Sequence, residues 1–211
     1  MSPAQVGSAP LNSESTALEL TVEAAGSQHT LALLALFERT GTACACQYWH
    51  FTGDKNDWLN RLFHEPAENR SAFSADLERG GQRGVVASCA GLAVGWLKLT
   101  PASSVQKLYS QRLYKGLPCF GGPRDGVLTI GCLLVDESLR RRGVARALVK
   151  GAVGIAERMG ARAIEAFPRR SEQAGPAELW TGPPNIFLEA GFRVVSDFAP
   201  YPVLRYDVSR L

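Results

Sequence analysis

Residues Val135 to Ala145, Val-Asp-Glu-Ser-Leu-Arg-Arg-Arg-Gly-Val-Ala, place three consecutive arginines and a glycine directly ahead of an amphipathic stretch. The chemistry such a segment can do is to hold an anion, phosphate above all. The first amides of a helix have no intrahelical acceptor, and the positive end of the helix dipole favours negative charge beside them. Gly143 leaves the backbone open to close approach. The side chains of Arg140, Arg141 and Arg142 add attraction for phosphate oxygens, although at least one of them can equally be solvated helix-start charge.

The elements that must position this turn are readable on both sides. Downstream, Val144, Leu148, Ala152, Ile155 and Met159 recur at spacings that put them on one helical face, while Arg146, Lys150, Glu157 and Arg158 fall opposite. Gly160 ends that helix. Upstream, Val127 to Val135 reads Val-Leu-Thr-Ile-Gly-Cys-Leu-Leu-Val, the near-continuous apolar run of a central strand covered on both faces. Gly131 within it signals a bulge or close ligand approach.

With strand, turn and helix in that order, the sequence resembles the GCN5-related N-acetyltransferase family. Its signature is Arg or Gln, two residues, Gly, one residue, then Gly or Ala, met here by Arg140, Gly143 and Ala145. A second segment, Phe187-Leu-Glu-Ala-Gly-Phe192, is similar to the family's aromatic, three residues, Gly-Phe motif. The two motifs together span most of residues 126 to 208. Rival phosphate signatures, Gly-x-Gly-x-x-Gly after a strand and Gly-x-x-x-x-Gly-Lys-Ser/Thr, are missing.

The resemblance implies an α/β (α+β) fold with a mixed, mostly antiparallel central sheet of about seven strands flanked by helices. It also implies transfer of an acetyl group from acetyl-CoA to an amine, directly within a ternary complex. The cofactor's pyrophosphate would rest on the amides from Arg140 through Arg141, Arg142, Gly143 and Val144 to Ala145. Its pantetheine arm would pair with the strand end at Leu133, Leu134 and Val135, and an amide near Leu133 would stabilise charge on the thioester oxygen. Phe187 falls at the family's aromatic position, where a tyrosine often protonates the departing thiolate. Phenylalanine cannot, which leaves water, Tyr109, Tyr114, Tyr201 or no acid at all. The family's asparagine, twelve residues before the Phe of Gly-Phe, is replaced by Trp180. Glu165 is the candidate general base, set against the alternative that it faces water or pairs with an arginine.

Composition agrees with one globular domain. The chain has 211 residues, 45% hydrophobic and 20% charged, with a net charge of +3 that neither demands nucleic acid nor disfavours an anionic ligand. Five cysteines without a repeating framework read as reduced thiols in a cytoplasmic protein. Leu31 to Phe37 is too short to span a bilayer. Residues 1–16, rich in Ser, Ala, Pro and Gly, read as a flexible tail, and 17–211 as a single domain.

Strands are expected at Ala17–Glu23, Val85–Cys89, Leu92–Thr100, Ala161–Phe167, Phe192–Phe198 and Pro202–Val208, besides the one from Val127. Helices are expected at Gln28–Arg39, after Asp54, at Glu65–Arg79 and at Pro183–Ala190. Pro101–Pro123 reads as an irregular, partly helical excursion. Cys44 to Phe51 reads as extended, which would project Cys44, Cys46, Tyr48 and His50 from one face. The spacing lacks the form of a structural zinc site, no metal is expected, and packing of small thiols is favoured. A further option is that this aromatic segment lines the acceptor pocket. Two other functions stay open: a non-catalytic acyl-CoA sensor, and a nucleic-acid module using Arg140 to Arg142, Arg169 and Arg170, for which the basic excess is low.

Overall fold

The computed structural model describes residues 18–80, 84–170 and 180–208. The tail assigned to residues 1–16 lies outside them. Seven strands, β1 (Thr21–Ala24), β2 (Gly84–Cys89), β3 (Leu92–Pro101), β4 (Val127–Val135), β5 (Ala163–Ala166), β6 (Arg193–Ser196) and β7 (Val203–Asp207), form one sheet in the order β1-β2-β3-β4-β5-β7-β6. Only β4 and β5 run parallel; every other pairing is antiparallel. The parallel pair is joined through the longest helix, as a crossover connection requires.

Among the described residues there are six α-helices: α1 (Thr30–Arg39), α2 (Lys55–Phe63), α3 (Pro66–Glu78), α4 (Gln106–Tyr109), α5 (Val144–Arg158) and α6 (Pro184–Leu188). α5 buries Val144, Leu148, Val149, Ala152, Ile155 and Ala156 against one face of the sheet, as its periodicity requires. On the other face α1 and α3 pack Leu33, Leu36, Phe37, Phe73 and Leu77 around Trp96. α2 begins as its sequence dictates: the Asp54 carboxylate accepts from the amides of Asn56 and Asp57, while the Asp57 carboxylate accepts in return from the Asp54 amide.

Two features of β4 open the sheet. Gly131 has no partner on β3, because Lys98 faces Cys132 while the next residue, Leu99, faces Ile130. It is the extra residue of a bulge. Pairing of β4 with β5 stops at Ile130, whereas pairing with β3 continues to Val135. Beyond the bulge the two central strands part, and the β4 edge that faces away from β3 borders a cleft.

Cys44 to Phe51 is not a strand. Ala45 and Cys46 have φ of +40° and +56°, and successive turns close through Gln47 N to Cys44 O and His50 N to Gln47 O. The turns still leave Cys44, Cys46 and Tyr48 along that cleft, but not His50. Cys46 and Trp49 are buried, while His50 turns toward a separate, smaller cavity.

Candidate active site

The cleft encloses about 970 Å³ and runs from the β4 edge to the turn before α5. At one end lie Leu133, Leu134, Val135, Arg140 and Arg141. Within the turn Arg141 has φ +64° and Gly143 φ +89°. Gly143 is the N-cap of α5 and carries no side-chain cap, so the first amides of a fifteen-residue helix face outward without an intrahelical partner. A bulky residue held left-handed is costly, by about 1–3 kcal/mol, and such residues concentrate where a backbone concavity has work to do. Arg140 pairs with Glu137 at 2.9 Å. Arg142 is exposed, and Val144 is buried under the turn as the first core residue of α5.

The amide of Leu133 points away from β3, where it donates to the carbonyl of Trp180 at 2.7 Å. Asp136 donates the other way, to Val94 at 2.9 Å. Strand alternation therefore puts the Val135 amide on the same side as that of Leu133, toward the cleft.

The far end of the cleft is aromatic. Trp49 is clamped against the bulge, its indole Nε1 donating to the Gly131 carbonyl at 3.0 Å. A Cβ on residue 131 would lie 3.2 Å from the Trp49 ring, so the glycine allows this approach. Tyr48 packs edge-on against Trp49 and Trp58, with centroids 4.7 and 5.2 Å apart, and Trp180 lies 5.8 Å from Trp49. The α2 residues Leu62 and Phe63 also line the cleft, as do Thr40 to Cys44, which follow Arg39, itself bonded to Asp136 beyond the end of β4. The sequence alone offers the variable segments from about Cys44 to Arg79 and Pro101 to Pro123 for this role; the first supplies Tyr48, Trp49, Trp58 and Phe63, and the cleft lining includes no residue of the second. Trp58 and Phe63 read there as parts of a helix, and Trp180 only as a missing asparagine.

Beneath this end lies Lys98, fully buried, its Nζ donating to the Cys46 carbonyl at 2.6 Å. Cys46 Sγ accepts from Trp96 Nε1 at 3.2 Å. Burial lowers the Lys98 ammonium to about 8, against attraction from the neighbouring thiols. Between pH 8 and its ordinary value of 10.5 the unfolded chain holds this proton and the folded protein does not, so stability gains from rising pH in that window. Denaturant titrations are expected to show the Lys98→Met variant losing this gain, about 3 kcal/mol relative to wild type between pH 8 and 10.5. Parallel pH profiles for the two proteins would contradict it.

Several sequence-derived candidates are placed elsewhere. Glu165 is fully buried on β5 and outside the cleft lining. Arg124 grips it bidentately at 2.9 and 2.6 Å, Arg205 donates at 2.9 Å, and the Tyr109 hydroxyl donates at 2.6 Å. Both carboxylate oxygens are committed, which removes Glu165 from consideration as the base. Tyr109 has its one proton on Glu165, so the Thr129 hydroxyl 2.6 Å away must be the donor to Tyr109. Burial and the Glu165 charge drive the Tyr109 phenol far above its ordinary value. Tyr114 is buried in the same aromatic cluster and pushed up to about 12 by burial. Neither lines the cleft, and nor does Tyr201; Tyr48 is the tyrosine that does among the described residues. Phe187, expected at the cofactor, is fully buried in the core with its ring 5.5 Å from Phe192. It holds α6 to α5 and is not part of the cleft lining.

A seven-stranded sheet parted beside a basic turn at a helix N-terminus is the architecture of the acyl-CoA N-acyltransferases. The family model for the acetyltransferase (GNAT) family matches residues 46–175, more than half of the chain, and the protein belongs to that family. Among solved structures, an N-acetyltransferase from Staphylococcus aureus Mu50 aligns with a TM-score of 0.52 at 14% identity, covering 90% of this chain and 99% of its own. The PaiA N-acetyltransferase from Thermoplasma acidophilum, solved in complex with coenzyme A, gives 0.53 at 8% identity, covering 90% and 99%. YncA from Salmonella typhimurium, solved with its cofactor acetyl-CoA, gives 0.52 at 13%, covering 92% and 96%. These likenesses concern the fold. No curated protein matches the sequence.

Proposed function

We propose that the protein transfers an acetyl group from acetyl-CoA to an amine held in the same cleft. The observation that carries this reading is the union, in one cavity, of Arg140 and Arg141 from the phosphate-suited turn, the outward β4 edge at Leu133–Val135 and an aromatic wall next to the Gly131 bulge. The residues fit the cosubstrate. Helix-start amides and Arg140 to Arg142 would take its pyrophosphate. The Leu133 and Val135 amides face the side on which an amide-bearing arm would pair. Acetyl-CoA, when bound, supplies an activated acyl carbon and a thiolate leaving group.

The chain's own contribution is orientation and a donor at the carbonyl. An amide near Leu133, once released by the Trp180 carbonyl that engages it here, would stabilise charge on the thioester oxygen, a contribution of about 3 kcal/mol for preorganised donors of this kind. The aromatic wall would hold an acceptor against the strand. Tyr48 is the phenol within reach of the cleft, and a thiolate leaves readily without an acid.

Thermal unfolding with acetyl-CoA, coenzyme A and ATP tests the binding half. Either coenzyme A form at a hundredfold excess over its dissociation constant is expected to add about 2.7 kcal/mol, with little from ATP. Release of free thiol on addition of an amine tests transfer. No shift with either form sinks the reading.

A further inference from the structure

The chamber that would receive the acceptor is built for an uncharged, flat group. Its walls are rings: Tyr48, Trp49, Trp58 and Trp180, interlocked at centroid distances from 4.7 to 5.8 Å, with Phe63 at the rim. Glu137 is the carboxylate lining the cleft among the described residues; it lies at the turn end and is paired with Arg140. Among the described residues an ammonium at the far end would meet no counter-charge, and burying an unpaired cation is strongly unfavourable.

Aromatic walls can themselves bind cations through their faces, but cations of this chain already occupy the vicinity. Lys107 Nζ stands 4.3 Å from the Tyr48 ring centroid and 5.3 Å from that of Phe51. Lys98 is buried beneath the floor, bonded to the carbonyl of Cys46, a cleft-lining residue. Both would repel a third positive charge. Among the described residues the sequence-derived candidates for moving the proton, Glu165 and Tyr109, are also turned away and saturated. Among the described residues an alkylammonium would therefore find neither a counter-ion nor an evident base.

We propose that the acceptor is a flat, weakly basic aromatic amine, an arylamine or aryl hydrazide, which enters the chamber uncharged and packs against its aromatic wall. The inference rests on the acetyl-transfer reading above. The lone pair of such an amine is partly delocalised into the ring, so the nitrogen is neutral at pH 7 and needs no prior deprotonation. That lone pair forms the C–N bond to the acetyl carbonyl carbon, the C–S bond breaks with its electron pair leaving on sulfur, and the proton shed by nitrogen ends on the thiolate through water. The products are an N-acetylarylamine and coenzyme A.

The test pairs two acceptors with the same ring, para-toluidine and para-methylbenzylamine, which differ by one methylene and in basicity. Acetyl-CoA affinity is first measured by isothermal titration, then kcat/KM for each amine at pH 7 by thiol release. The arylamine is expected to lead by on the order of a hundredfold. Leu62→Glu, which adds a carboxylate to the cleft wall one helical turn from Trp58, is expected to narrow that ratio by about tenfold, by raising the benzylamine rate, with acetyl-CoA affinity unchanged. A protein that binds acetyl-CoA but prefers the benzylamine or a polyamine, or acetylates neither ring, overturns the acceptor class while leaving cosubstrate binding intact. A protein that fails to bind acetyl-CoA removes the acetyl-transfer reading and this inference together.

Discussion

Glu165→Ala is expected to destabilise the protein by about 3–5 kcal/mol while leaving the activity of whatever remains folded close to wild type. Thr129, Glu165 and Arg205 face one another across β4, β5 and β7, and Arg124 closes over the same carboxylate at 2.6 Å. Deleting the carboxylate leaves Arg124, three-quarters buried, without its anion, and Arg205 with Asp207 alone at 2.7 Å. It also strips the Tyr109 hydroxyl of its acceptor. For a domain of this size the loss corresponds to a fall in Tm of about 10 °C or more. Glu165→Gln, which keeps one acceptor oxygen and the shape, is expected to lose less. Differential scanning calorimetry together with kcat per folded molecule separates this from catalysis. A Glu165→Gln protein with unaltered Tm and kcat reduced a hundredfold would restore the carboxylate as general base and overturn the structural assignment.

Glu165 also marks where sequence reasoning ends. Its partners Arg124 and Arg205 lie 41 and 40 residues away, and no local period ties them to a short strand. The same holds for Trp49, whose indole reaches Gly131 across 82 residues. Elements whose information is local were legible. The α5 stripe, the apolar run of β4, the Asp54 cap and the strands flanking Ala90-Gly91 each follow from spacing or from one residue's hydrogen-bonding habit, and they placed the phosphate-suited turn. Gly131 was legible as a bulge because a glycine inside a strand has few other uses. Cys44 to Phe51 misled because the left-handed backbone at Ala45 and Cys46, which turns the segment away from an extended course, leaves no compositional trace. Phe187 misled differently. A motif fixes where a residue stands in the chain, but the packing of α6 on α5 turned the ring into the core.

Gly143→Glu is expected to weaken acetyl-CoA binding by about a hundredfold or more, with only a modest loss of stability. The residue sits at φ +89°, and a Cβ added there would meet nothing within 4 Å, so a side chain has room and the strain is confined to the backbone, about 1–2 kcal/mol. A carboxylate at the start of α5 even suits the helix dipole. What it does not suit is a second anion, since it would compete for the same outward amides and repel the pyrophosphate. Losing one or two charge-assisted hydrogen bonds, about 1.5–3 kcal/mol each, accounts for the expected factor. Gly143→Ala carries the same backbone strain without the charge and is the control. If the alanine variant keeps most of the affinity and the glutamate variant does not, the turn acts through its amides on an anion. Equal loss in both would assign the effect to turn geometry alone, and no loss in either would place the cosubstrate's phosphates elsewhere on the protein.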